Sequence, residues 1–501
     1  MNVALLIILA VLALTVYLGI RARRGRDMDL EQWSVGGRGF GTVFVFVLLA
    51  GEKFTTFTFL GASGFAYGQG GPAFFILFAG ALVHVISYWL LPPVWRYAKE
   101  NRLHSQADFF ASKYRSTGLG VLVSLMAVVA MVPYLAVQFR GLGIIVSETS
   151  YGSISPTAAV IAGGTALTLY VAISGLRGSA WTSVVKDVMV LGVIVFLGLY
   201  LPFALYGGIG EMFREINAER PGFLSLPSEG LSVPWFVSTV LMSAAGFYMY
   251  PHVFGSAFSA RNPRTFRRNA VFMPLYELIM LFAFFVGFAA ILSIPGLEGS
   301  QIDLALLRVS LQQFDPWVVG LIGGAGLLAA LVPGSVLLMV SATVLSKNVY
   351  GPMRPGTSEE TVVTLAKLLV PVVALVVVVF TLSNTLDLVL LSLLGSAYVV
   401  QLLPALLLSL MSNNFATKWG AAAGILVGVA IVTYLTVTGL TLRAIFPSLG
   451  SLGDIHVGVV ALLANVVVLV AVSLATRTST AIDKAGASSD PTLKASRRGR
   501  S

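Results

Sequence analysis

Long apolar runs alternate with short polar ones along the whole chain. Thirteen segments read as membrane crossings, to within a few residues: 3–20, 41–67, 73–95, 118–146, 156–176, 182–206, 233–258, 271–295, 317–346, 363–384, 386–411, 419–440 and 456–476. A helix crosses the hydrocarbon core in about 20 residues, and most of these windows reach that length with almost no charge. The pattern therefore predicts an all-α integral membrane protein of about 13 transmembrane helices.

Composition agrees. Of the 501 residues, 57% are hydrophobic and only 11% are charged, against roughly 25% charged in soluble domains. The mean hydropathy is +0.88. These values exclude a soluble enzyme, a nucleic-acid binder and a disordered regulator. The net charge of +10 sits mainly in short loops, where it sets topology. Alternating the sides puts 26 of the 32 basic residues, Lys186 among them, in predicted cytoplasmic segments. Outside segments hold only Arg214, Arg220, Arg308 and Arg443, and Lys53 and Arg140 fall within spans. The N-terminus is expected outside and the C-terminus inside, in the cell membrane. Arg21, Arg23, Arg24 and Arg26 follow the first segment instead of preceding it, so it reads as a retained span and not a signal peptide. Residues 477–501 read as a basic, disordered cytoplasmic tail near anionic lipid. The transporter domain is then 1–476.

There are no cysteines, and the four histidines at 84, 104, 252 and 456 are far apart, so no metal centre is expected beyond a coupling sodium. No phosphate loop or catalytic constellation is present. The chain reads as a transporter, with no cofactor, no nucleic acid and no obligate protein partner.

Two spans are interrupted. Segment 41–67 contains Gly51, Gly61 and Gly64, with Glu52 and Lys53 near its middle; segment 233–258 contains Ala244-Ala245-Gly246 and then Tyr248-Met249-Tyr250-Pro251-His252. Broken backbone is tolerated at membrane depth only where it meets protein or a cavity. Five spans run from the start of one interrupted segment to the start of the other, 41–67 through 182–206. An odd number inverts the second repeat, giving core repeats of about 41–206 and 233–411 around a midplane site.

The residues at these places resemble the sodium/solute symporter family over about 3–476. The run Gly51-Glu52-Lys53-Phe54-Thr55-Thr56-Phe57 through Gly61-Ala62-Ser63-Gly64 is similar to its first core helix. Ala107-Asp108-Phe109-Phe110-Ala111-Ser112-Lys113-Tyr114, and Ala329-Ala330 with Lys347-Asn348-Val349-Tyr350, also match its pattern. Met249-Tyr250-Pro251-His252, Arg267-Arg268-Asn269-Ala270 with Pro274-Leu275-Tyr276, and Leu331-Val332-Pro333-Gly334-Ser335 resemble its monocarboxylate branch. The resemblance implies a LeuT-type five-plus-five inverted repeat with one helix before it and two after. It implies symport of a small solute, here a short monocarboxylate, driven by an ion gradient. An amino-acid symporter on the same fold and a membrane sensor module are the competing readings.

The resemblance also implies an ion site built from carbonyls of the first broken helix, around Gly51, Lys53 and Phe54, and from two hydroxyls three and four residues after Ala330. Those positions are Pro333 and Gly334, which carry no side-chain oxygen; Ser335 is next. The family acid after Trp-Thr is replaced too, since Ser183 follows Trp181-Thr182. Lys53 places an ammonium near mid-bilayer, where it either replaces the sodium charge, carries a proton, or pairs with Glu52 or an acid of another helix. A fixed charge ~6 Å from a sodium repels it by roughly 3 kcal/mol at an effective dielectric of 20. Transport is therefore expected to be weakly dependent on sodium or independent of it, and to follow the proton gradient.

The expected solute contacts are Glu52, Thr55 and Thr56 at the first break, Tyr134 and Gln138 on one face of 118–146, and Tyr250 and His252 at the second break. Arg140 attracts an anion from the vestibule, snorkels outward or pairs with Glu148. His84 reads as structural, and Glu277 as a partner of Arg267 or Arg268.

Overall fold

The computed structural model describes residues 2–23, 53–258, 260 and 262–488, without the side chains of 19, 20, 22, 23, 172–181 and 478–488. Gly51 and Glu52, with the first part of segment 41–67, lie outside the described residues. So do the last residues of the tail.

The helices are α1 (Val3–Arg23), α2 (Ala62–Gln69), α3 (Phe75–Glu100), α4 (Gln106–Tyr114), α5 (Thr117–Thr149), α6 (Pro156–Tyr206), α7 (Ile209–Glu219), α8 (Val233–Phe247) and α9 (Pro251–Phe258). They continue with α10 (Arg264–Glu277), α11 (Met280–Ser293), α12 (Ala305–Gln313), α13 (Pro316–Val344), α14 (Glu359–Ser383), α15 (Leu388–Val399), α16 (Leu403–Leu410), α17 (Lys418–Thr438) and α18 (Val457–Ser488). Among the described residues, nine helical stretches are long and apolar enough to span a membrane, and α8 with α9, bent by 48°, makes a tenth. Two shorter apolar stretches, Val3–Leu18 and Pro156–Val171, coincide with the first and fifth expected crossings.

Helix α6 holds two crossings in one helical run. At about 1.5 Å per residue, twelve residues of straight helix separate two positions by about 18 Å. Yet the Tyr170 and Thr182 hydroxyls lie 2.8 Å apart. The run therefore doubles back, as expected from segments 156–176 and 182–206.

Several helices start where a polar cap follows a loop. The side chains of Ser105, Ser116, Ser155, Ser358, Asp387 and Thr417 each accept a hydrogen bond from the amide three residues on, using one of the donors that a helix start leaves unpaired. Helix α13 runs through the centre. In its span 89% of the apolar window is buried, against 33% for Glu359–Ser383 on the periphery. Without a hydrophobic drive between helices in lipid, close contact depends on small residues and buried polar bonds. Gly287 lets α11 lie against α2: a Cβ there would sit 2.1 Å from the Ser63 carbonyl oxygen. The last span is tied in by amides. Gln401 donates to the Gly458 carbonyl at 3.1 Å, and Asn465 donates to the Gln401 carbonyl at 2.7 Å.

Candidate functional site

Both sequence interruptions in the described residues are irregular in the fold. After Lys53 the chain turns sharply, with the Thr55 amide on the Lys53 carbonyl at 3.0 Å. The Thr55 hydroxyl accepts the Phe57 amide at 3.1 Å and restarts the helix as a wide turn over Phe57–Gly61. Thr55 is thus a cap. Thr56 is buried, and its hydroxyl has no hydrogen-bond partner among the described residues. The second break spans Tyr248–Tyr250, between α8 and α9. A helix break frees carbonyls that lipid cannot satisfy. Here each break has one carbonyl taken by a long side chain from a neighbouring helix: Gln106 donates to Met249 O at 2.8 Å, and Lys186 donates to Phe54 O at 3.0 Å.

Between the breaks lies a cavity of about 100 Å³, well below the roughly 300–1,000 Å³ of pockets for drug-sized ligands. Its apolar wall includes Phe57, Phe75, Ile76, Val83, Phe247, Met280 and Leu393, and its polar lining includes Lys53, Thr58, Tyr134, Ser243, Tyr250, Glu277, Ser392 and Ser396. The rings of Tyr134 and Tyr250 pack 5.0 Å apart, and the Tyr250 hydroxyl lies 3.4 Å from that of Ser396. The Ser243 hydroxyl is buried with no hydrogen-bond partner among the described residues.

Lys53, the one cation of the cavity wall among the described residues, has three polar partners. The Lys53 ammonium forms an ion pair with Glu277 Oε1, meets His84 Nε2 at 3.1 Å, and donates to the Gly80 carbonyl at 3.3 Å. His84 Nε2 is also 3.2 Å from Glu277 Oε1. An ammonium has three donors, so this set satisfies the charge at membrane depth. The Phe247 ring covers it at 5.1 Å. Gly80 makes room for the acid: a Cβ there would lie 2.6 Å from Glu277 Oε2.

This changes several expectations. The partner of Lys53 is Glu277 of α10, and Glu277 is buried with Lys53 and His84 instead of facing Arg267 or Arg268. His84 has two ionisable partners. Arg140 donates to the carbonyls of Leu386, Thr381 (3.2 Å) and Asn384 (2.6 Å), closing the end of α14, while Glu148 pairs with Arg308 at 3.3 Å. Lys186 is fully buried inside its span, beside Asp187 at 3.0 Å, and does not mark a flank; one fewer flanking cation leaves the charge bias intact. Ala330, Pro333, Gly334 and Ser335 lie buried in an unbroken α13. The Ser335 hydroxyl donates back to Val332 O at 2.6 Å. Gln138 packs against Gly334, with neither amide atom hydrogen-bonded among the described residues. His252 stacks on Tyr134 at 5.8 Å behind the cavity wall.

A second polar cluster joins α4 to the end of the central helix. Asp108 accepts from Lys347 Nζ and Asn348 Nδ2, both at 2.7 Å, and from the His104 amide at 3.1 Å. Burial raises the Asp108 carboxyl, but the Lys347 charge and these hydrogen bonds outweigh it and hold it below its usual value. A depressed carboxylate contributes stability above its unfolded pKa and loses it as pH falls through the folded value. Asp108→Asn should therefore lower stability by about 1–3 kcal/mol near neutral pH. The gap to the wild type should close as pH falls below about 4, the ordinary Asp value, read by thermal melting of both proteins.

Sequence comparison places this architecture among known transporters. Residues 33–428 match the sodium:solute symporter family. The uncharacterized symporter YhjB of Bacillus subtilis (strain 168) is 58% identical over 478 residues, covering 95% of this chain and 98% of its own. A monocarboxylate transport permease protein of Rhizobium johnstonii is 28% identical over 485 residues, covering 94% and 96%. Among solved structures, a sodium-coupled sialic acid symporter in a substrate-bound outward-open state superposes with a TM-score of 0.76 at 16% identity, over 94% of this chain and 98% of that one. The shared fold is the LeuT type.

Proposed function

The chain belongs to the sodium:solute symporter family, a family of membrane transporters and not of enzymes, and on that premise we propose that it carries a short monocarboxylate through the cavity between the two breaks. The observation that carries this reading is the cavity itself. It is small, it is walled by Phe57, Phe75, Ile76, Val83 and Leu393, and it presents several hydroxyls beside the Lys53–Glu277 pair. A short aliphatic acid fits that chemistry: the tail takes the apolar wall, and the carboxylate takes donors from Tyr250, Ser243 or Ser396, near the Lys53 charge, whose own donors are already taken. A sugar would leave many hydroxyls against apolar walls, at a cost for each unpaired group. The Rhizobium johnstonii permease, similar along nearly its whole length, is named for monocarboxylate transport, which adds support.

In this reading residues 41–206 and 233–411 form the two inverted repeats, and solute binds where their broken helices meet. The N-terminus is outside and the basic tail faces the cytoplasm. The Asp108–Lys347 cluster then closes the cytoplasmic side. Competition of unlabelled solutes against labelled propionate uptake in cells tests the solute class. Lactate, pyruvate and propionate should each reduce uptake at least about tenfold more strongly than proline, alanine or glucose at equal concentration. A reversed ranking, with proline the stronger competitor, contradicts the reading.

A further inference from the structure

The family name puts a sodium ion in the mechanism, yet the residues around the first break do not fit one. Sodium, a hard cation, is held by several oxygens. The Phe54 carbonyl, an expected ligand, accepts the Lys186 ammonium at 3.0 Å. Pro333 and Gly334 have no side-chain oxygen, and the Ser335 hydroxyl is committed to Val332 O at 2.6 Å. The Lys53 ammonium is engaged with Glu277, His84 and Gly80 O.

We propose that Lys186 is the built-in cation of this chain, standing where other members of the family would bind sodium, so that transport does not require sodium. The side chain of Lys186 is completely buried, and its ammonium bridges the Phe54 carbonyl of the first broken helix and the Asp187 carboxylate at 3.0 Å. An ammonium and a sodium ion carry the same charge and satisfy the same acceptor, a carbonyl oxygen. The lysine supplies its charge covalently, whatever the sodium concentration. Spacing along the span supports the substitution. Lys186 and Asp187 come three and four residues after Ser183, on the same helical face. The acid lost at 183 is thus replaced one turn on, with a cation beside it. A sodium ion within ~6 Å of that ammonium would bind roughly a hundredfold more weakly than at the same oxygens without it. The bridge also ties the break to the span Thr182–Tyr206, the contact that a bound ion would otherwise make.

Sodium binding can be read without knowing the solute, so its outcome is separate from the monocarboxylate reading. Radioactive sodium is titrated onto the purified full-length protein, and melting is followed in sodium chloride and in choline chloride at equal ionic strength. The wild type should show no saturable sodium binding and the same melting temperature in both salts. In Lys186→Gln the carbonyl and Asp187 are released, and sodium should now raise the melting temperature above that in choline. Labelled propionate uptake by the wild type should change by less than about twofold when choline replaces sodium. Saturable sodium binding by the wild type overturns the proposal, as does a loss of most uptake in choline. Both of those measurements use the wild type, so they stand even where Lys186→Gln fails to fold.

Discussion

Glu277→Gln should cost the folded protein about 3–5 kcal/mol, the range for breaking a buried ion pair from one side, and should abolish uptake. The Lys53 and Glu277 side chains are only 8% and 2% exposed. Without the carboxylate, the ammonium keeps His84 and the Gly80 carbonyl, but no negative charge balances it. Removing both charges is a different experiment. Lys53→Met with Glu277→Met should recover most of the stability, because similar-sized apolar groups replace the pair. Uptake should stay lost, because the cavity has lost its cation. Melting of the purified proteins and propionate uptake separate the two effects. Glu277→Gln melting within about a degree of the wild type would show that another group neutralises Lys53. Full uptake in the double variant would remove Lys53 from the solute site.

Arg140→Met is expected to be nearly as severe, for a structural reason. The guanidinium donates to four acceptors on Thr381, Asn384 and Leu386, where α14 ends and the chain turns into α15. The acceptors are partly buried, so each left unpaired costs up to about 1–3 kcal/mol, and together a few kcal/mol are at stake. Two buried acids lie alongside. Burial, then the charge of Asp387, holds the Asp303 carboxyl well above its usual range, and the Leu388 amide and Arg140 work against that rise. Loss of Arg140 leaves the pair without its cation. Arg140→Lys should rescue only partly, since one ammonium cannot reproduce a planar fork of donors. Yield and melting should fall together, with the KM of the surviving protein unchanged. A KM raised about tenfold at normal stability would instead put Arg140 on the path of the solute.

The spans were legible because apolar length is what lipid selects. The two breaks were legible because glycine, proline and polar residues are out of place in such runs, and Lys53 stood out for the same reason. Its partner did not. Glu277 lies 224 positions away, and proximity in sequence pointed to Arg267 and Arg268. His84 looked like an isolated histidine because nothing local shows that α3 and α10 pack together with Lys53 between them. Lys186 carried a readable signal. It stands a turn inside an apolar window, and a charge within a span is a functional candidate by default. Counted with the flank beside Arg177, it passed as topology. The substitutions at Pro333, Gly334 and Ser183 marked the ion site as altered. Only the fold shows which lysine reaches the Phe54 carbonyl.

Solute counterflow, run with equal sodium and pH on both sides of the membrane, tests the central claim most directly, because it needs no ion gradient. Proteoliposomes holding the purified protein are preloaded with unlabelled propionate, proline or buffer, then diluted into traces of labelled propionate or labelled proline. The account predicts that preloaded propionate, or lactate in its place, draws labelled propionate inward well above the buffer control. Ser243→Phe, which fills the cavity beside the second break, should abolish that exchange while the protein still melts as a folded species. Exchange of labelled proline against proline, with none of propionate against propionate, would contradict the assignment of this cavity to a short carboxylate.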